Sequence, residues 1–281
     1  MKIKLNLIAI NVIVLFSCTN GQKEANSHII DAGNDPNFTI VANTDQGLLA
    51  FNRKVVVFDI DIYAVNGVED VKLLHAANLM AQYLDNDEDG VVDDMNVLNA
   101  MKKEKAFLVM WKDESDLENL NPPRGREGQD LGNDETRPAW HSNRNGEFDA
   151  AIEEVWHLVS HAGYANAYPS VFGENAGTTL SNAMDLARGG NFTSIPNPYP
   201  TTAWYSYDDA TCEYDCMATE YMYWAMTSIL GAQENRLNGI GHEWKLNTRA
   251  KVQHQDKAIF KLLTSPEYNL PEVLPDGTYN R

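Results

Sequence analysis

The spacing of apolar positions changes twice along the chain. Phe38-Thr-Ile-Val-Ala42 and Val55-Val-Val-Phe-Asp-Ile-Asp-Ile-Tyr63 are rich in β-branched and aromatic residues, and the second alternates apolar with polar toward its end. These runs predict strands between residues 37 and 64. From 68 to 84 the period lengthens, and Leu73, Ala77, Met80, Ala81 and Leu84 fall on one stripe of a helix. A second helix is expected over about 93–104, then a compact strand, Ala106-Phe-Leu-Val-Met-Trp111. Residues 113–147, with Pro122-Pro123 and several Gly and Asp, read as loop. Helical spacing then dominates, over roughly 147–163, 177–188, 214–232 and 243–263. Strands early and helices late predict an α+β fold, a small mixed sheet followed by a mainly helical half. No internal repeat or persuasive boundary interrupts residues 29–281, which are expected to form a single domain.

The first 17 residues, MKIKLNLIAINVIVLFS, set Lys2 and Lys4 ahead of an apolar run of about ten residues. That is too short for a membrane span of about 20 and has the order of a secretory signal. The run ends in Leu15-Phe16-Ser17-Cys18, which resembles the bacterial lipobox, with Phe16 larger than is usual there. The resemblance implies cleavage before Cys18, lipidation of that residue, and an exported protein anchored by its N-terminal lipid to the membrane of the cell envelope. Residues 18–28 are polar and aperiodic, as a flexible tether would be. Of 281 residues only three are Cys. With Cys18 set aside, Cys212 and Cys216 form an even pair, expected to close a short disulfide in an oxidising compartment. The alternative is a Cys-x3-Cys zinc half-site, which no second Cys pair completes.

Forty acidic against 22 basic side chains give a formal charge of −18, with no basic stripe for phosphate. Nucleic acid is therefore not an expected partner, and cations are. The acid is concentrated in Asp85-Asn-Asp-Glu-Asp-Gly-Val-Val-Asp-Asp94, between two predicted helices. Asp85, Asp87 and Asp89 stand at loop positions one, three and five, Gly90 at the sharp turn, Val91 where a backbone carbonyl is used, and Asp93 at position nine. The segment resembles EF-hand and dockerin loops, which implies a structural Ca2+ site over 85–96. It departs from them at position twelve, where Asn96 replaces the bidentate Glu and Asp93 or Asp94 is left to close a shorter loop.

The segment from Phe148 to His161 carries the other chemistry. At 100° per residue Phe148, Ile152, Val155 and Val159 share a core face, while Glu153, Glu154, His157 and His161 share the opposite one with no Lys or Arg. Histidines four apart are the chelating geometry of zincin helices. Met217–Gln233 is apolar all round except for Glu220, a carboxylate that needs a counter-charge or a metal. His157, His161 and Glu220 would make a His2Glu site for Zn2+ or another divalent transition metal, resembling the gluzincin metallopeptidases. That resemblance implies a peptide or protein substrate and assigns Ala106–Trp111 as a substrate-aligning edge strand. It fails where the general base should stand: HExxH would need Glu in place of Leu158, and the inverted HxxEH would need it at Ser160. Glu154 is the remaining candidate base, with Glu153 a candidate fourth ligand. The rival reading is a non-catalytic surface lipoprotein binding a protein or glycan, with the His/Glu face structural. Iron or manganese would also suit these ligands. His75 reads as a structural helix residue, and His242-Glu-Trp-Lys-Leu246 lacks a second histidine. No GxSxG, P-loop or dinucleotide fingerprint supports another enzyme class.

Overall fold

A computed structural model describes residues 35–209 and 211–281. The expected signal segment, Cys18 and the expected tether lie outside the described residues. Five strands, β1 (Val41–Ala42), β2 (Arg53–Val57), β3 (Ile60–Ala64), β4 (Phe107–Trp111) and β5 (Gly128–Gly132), form one sheet in that order. β1, β2 and β3 are antiparallel neighbours, whereas β4 runs parallel to both β3 and β5. The sheet is mixed and the fold is α+β.

The alternating run at 55–63 is a hairpin rather than one strand. Phe58 and Asp59 both take positive φ, 46° and 68°, and reverse the chain between β2 and β3. Two left-handed residues in a two-residue loop match the right-handed twist of the flanking strands. β4 was expected at the sheet edge and lies inside it. Phe107, Leu108, Val109 and Met110 are all buried, the apolar run of a parallel strand covered on both faces. The edge strand beside it is β5, which the two glycines and the Asp of Gly128-Gln-Asp-Leu-Gly132 disguise as loop.

Helix α1 (Asp70–Leu84) packs on β2 and β3, and α2 (Met95–Lys103) follows it across the acidic loop. After β5 come a short α3 (Trp140–Asn143) and α4 (Ala151–Leu158), which lies against α1, β4 and β5. At Val159 the helix widens into a π-helical turn, Val159–Tyr164, packed on α2, and a further turn, α5 (Ala165–Ala167), completes it. Gly163 permits that packing, because a Cβ there would sit 2.7 Å from Val97 Cγ1. The helical half contains α6 (Thr179–Arg188), α7 (Tyr214–Ile229), α8 (Leu237–Ile240), α9 (Arg249–Gln255) and α10 (Lys257–Leu263). The single helix expected over 243–263 is broken at Asp256. That buried carboxylate accepts from Ile259 N at the start of α10, and from Tyr221 Oη and Trp204 Nε1. One connected set of buried apolar side chains runs from Leu48 to Tyr279, and α7 joins the two halves by packing on α4.

Cys212 and Cys216 are joined by a disulfide, Cα–Cα 5.3 Å, that staples the start of α7. Among the described residues no helix is long and apolar enough to cross a membrane.

Candidate metal centres

The acidic loop curls inward as its spacing predicts. Asp85 is fully buried, and its carboxylate accepts from Asp89 N at 3.2 Å and Gly90 N at 2.8 Å. Asp89 Oδ1 accepts from Val91 N and Asp93 Oδ2 from Asn86 N. Gly90 takes φ +89°, the left-handed turn the loop needs. Asp85, Asp87 and Asp89 each offer an oxygen within 4.8 Å of the others. Burial and the neighbouring charges of Asp87, Asp85 and Asp89 push the Asp93 carboxyl up, the cost of crowding acids together. The side chain of Val91 is exposed. Asp94 does not close the loop. It caps α2, accepting from Asn96 N and Val97 N, and takes the Tyr168 hydroxyl as well.

Asp94→Ala is accordingly expected to cost about 1 kcal/mol of stability as a lost helix cap, with calcium affinity retained. Asp93→Ala is expected to weaken calcium binding instead. Titration calorimetry beside urea unfolding separates the two, and calcium loss in the Asp94 variant would reverse these roles.

The second centre forms where α4 meets α7. Glu153, His157 and Glu220 each offer a ligand atom within 4.8 Å of the others, and His157 Nε2 lies 3.6 Å from Glu220 Oε2. His157 is 7 % exposed, and its Nε2 is buried with no hydrogen-bond partner. On the other side of the ring, Nδ1 lies 3.4 Å from Glu154 Oε2, which also accepts from Gln129 Nε2 on β5. Tyr207 donates to Glu220 Oε1 at 3.1 Å, and the Tyr223 ring meets His157 edge-on at 5.3 Å.

Three carboxylates thus surround one imidazole. Burial pushes the Glu153 carboxyl up to about 8, and burial likewise raises Glu220. Burial alone would lower His157, but the charge of Glu220 and the hydrogen bond and charge of Glu154 outweigh it and raise the imidazole to about 10. Without a metal the cluster therefore keeps protons that these groups release in water near neutral pH.

Of the predicted zinc ligands, the fold brings His157 and Glu220 together and leaves His161 out. His161 Nδ1 pairs with Glu174 Oε2 at 2.7 Å, and its Nε2 lies 3.6 Å from Glu127 Oε2. The widened turn starting at Val159 changes the angle at which residue 161 projects, so the four-residue spacing no longer delivers both rings to one point. His161 borders instead an open cavity of about 310 Å³, lined by Glu104, Glu127, Glu174 and Asp215 among others. Glu153 takes the vacated place. Glu154, read as the base, sits behind the imidazole, the position of a carboxylate that orients a metal-binding histidine. Leu158 and Ser160, the positions lacking the zincin glutamate, are both buried.

A third group was missed: His75, His141 and Asp149 converge in the same way. No short motif links these positions, and only the packing of α1 on the segment before α4 shows it.

The chain matches no known protein family, no curated protein and no solved structure.

Proposed function

We propose that this chain is an exported lipoprotein of the cell envelope, lipidated at Cys18 and stabilised by calcium at Asp85, Asp87, Asp89, Val91 and Asp93. In this reading Glu153, His157 and Glu220 hold a divalent transition metal, zinc in the first instance, and the site acts as a metal-dependent hydrolase of peptides or related amides. The observation that carries the proposal is the buried, unpartnered Nε2 of His157, aimed into a group of carboxylates. A buried donor or acceptor left unpaired costs about 1–3 kcal/mol, and a metal at that atom removes the cost. One imidazole with two carboxylates suits zinc, iron or manganese.

The residues divide the work. His157, Glu220 and Glu153 bind, while Glu154, itself held by Gln129 from the edge strand, fixes the ring's tautomer and direction. Tyr207 keeps Glu220 oriented. A bound zinc would supply Lewis acidity toward a carbonyl and a more acidic water. The zincin likeness rests on this helix and its carboxylates, and loses the edge-strand correspondence because β4 is internal.

The non-catalytic reading, in which the protein binds a protein or glycan and the His/Glu cluster is structural, draws on the 3.6 Å approach of His157 to Glu220, an ion pair that could stand without metal. Metal content separates the two. Full chain, purified without a histidine tag, loaded with zinc and dialysed, is expected to lose one zinc equivalent in His157→Ala while retaining its circular dichroism. The zinc-loaded wild type is then expected to cleave casein or a peptide library, and the variant not to. Unchanged zinc content in the variant would end the metal reading. Full zinc without any amide hydrolysis would favour the binding one.

A further inference from the structure

We propose that His75, His141 and Asp149 form a second transition-metal site, a buried one that ties α1 and α3 to the start of α4. His75 comes from the buried face of α1 and His141 from α3, yet both point Nε2 at the same oxygen. The distances to Asp149 Oδ2 are 2.7 Å and 2.8 Å, and the rings meet edge-on with centroids 5.1 Å apart. The other oxygen, Oδ1, is held by backbone donors, Arg137 N at 2.7 Å and Ala151 N at 3.3 Å. One carboxylate oxygen is thus pinned by the protein and the other is presented to two imidazoles, as metal-binding carboxylates are.

Charge points the same way. Asp149 is completely buried, His75 is 3 % exposed, and among the described residues no Lys or Arg side chain reaches the carboxylate. The Arg137 side chain goes to Glu147 and to a backbone carbonyl. A buried carboxylate is costly unless a cation balances it, and a divalent ion shared with two neutral imidazoles does so. Two imidazole nitrogens and a carboxylate oxygen are zinc ligands, with bonds of about 2.0–2.2 Å. Tetrahedral bonds of that length hold ligand atoms about 3.3 Å apart, so each imidazole has to move back by only about half an ångström.

The C-terminal tail backs the His75 ring. Gly277 takes φ +80°, and a Cβ on it would sit 2.0 Å from His75 Nδ1. The tail can therefore lie over the ring only because residue 277 has no side chain. That contact backs the imidazole at Nδ1 and holds its Nε2 toward Asp149.

The two transition-metal centres differ in imidazole number, one against two, which makes them separable. Zinc-loaded, dialysed full chain is expected to hold two zinc equivalents. His157→Ala should hold one, whose zinc-edge X-ray absorption shows two imidazoles. Adding His141→Gln to that variant should release this ion and, in zinc-loaded samples, lower the melting temperature relative to His157→Ala alone. A wild-type chain holding one zinc that His157→Ala removes would overturn this site and leave the first intact. So would a remaining ion that shows a single imidazole or survives His141→Gln. A wild type without zinc would overturn both.

Discussion

Raising the pH from 6 to 9 is expected to weaken the metal-free protein by on the order of 5 kcal/mol, at about 1.4 kcal/mol per pKa unit, and zinc is expected to reverse the trend. The sign follows from two groups. His157 is raised to about 10 in the folded chain, so its contribution is complete below the unfolded value of 6.5 and is lost as the pH climbs toward 10. Glu153, pushed up to about 8 by burial, keeps its proton in the folded chain where the unfolded chain has already released it, so it too withdraws stability between 4.5 and 8. In both cases the native state binds more protons than the unfolded one, and stability must fall with pH. The groups facing them are Glu154, Glu220, Tyr207 and Tyr223, with Gln129 the neutral partner of Glu154. Metal binding needs these ligands deprotonated, so its affinity rises over the same range. Urea unfolding of chelator-treated protein at pH 6, 7.5 and 9 gives the slope, and Glu153→Gln should flatten its lower part. A midpoint that stays level in the metal-free wild type, or a zinc-induced gain no larger at pH 9 than at pH 6, would mean the cluster is not protonated as described.

That cluster also marks the limit of what the chain's pattern discloses. The first four strands, α1, α2 and α7 follow from periodicity, because each presents an apolar run or stripe that the core needs whatever the topology. Glu220 stood out for a similar local reason, a lone charge in an apolar helix. His161 did not behave locally. Its spacing from His157 is right for an α-helix, but the turn between them is π-helical, packed on α2 at Gly163, a close approach that residues 157–161 do not encode. The turn at Phe58-Asp59 and the strand Gly128–Gly132 escaped for the opposite reason. Left-handed Phe and glycine-rich strands go against propensity and are imposed by the sheet. His75, His141 and Asp149 lie up to 74 residues apart, and only the tertiary packing brings them together.

The acidic loop proposed to hold calcium is legible in sequence, yet its consequence is not, because its partner is the far end of the chain. Asn86 Oδ1 accepts from Glu272 N and Val273 N, and its Nδ2 donates to Val273 O. One turn earlier, Gln82 Oε1 accepts from Asp276 N and Gly277 N, and Asn78 Oδ1 accepts from Tyr279 N. The Tyr279 hydroxyl donates to Asp85 Oδ2, a carboxylate of the proposed calcium site. Losing the ion would leave Asp85, Asp87, Asp89 and Asp93 to repel one another beneath the tail, so loop and tail should loosen together. With the position-twelve Glu replaced by Asn96, affinity belongs with the weaker extracellular sites, dissociation constants of about 0.1–1 mM. At 10 mM calcium the expected stabilisation is then about 1.4–2.7 kcal/mol. Replacing calcium with a chelator should lower the melting temperature by several degrees and speed hydrogen exchange at residues 276–279 while leaving β4 protected. Asp85→Ala should reproduce both effects with calcium present. A melting temperature indifferent to calcium between zero and 10 mM would show the loop to be a solvated acidic turn, and faster exchange confined to residues 85–94 would show that the tail is held without it.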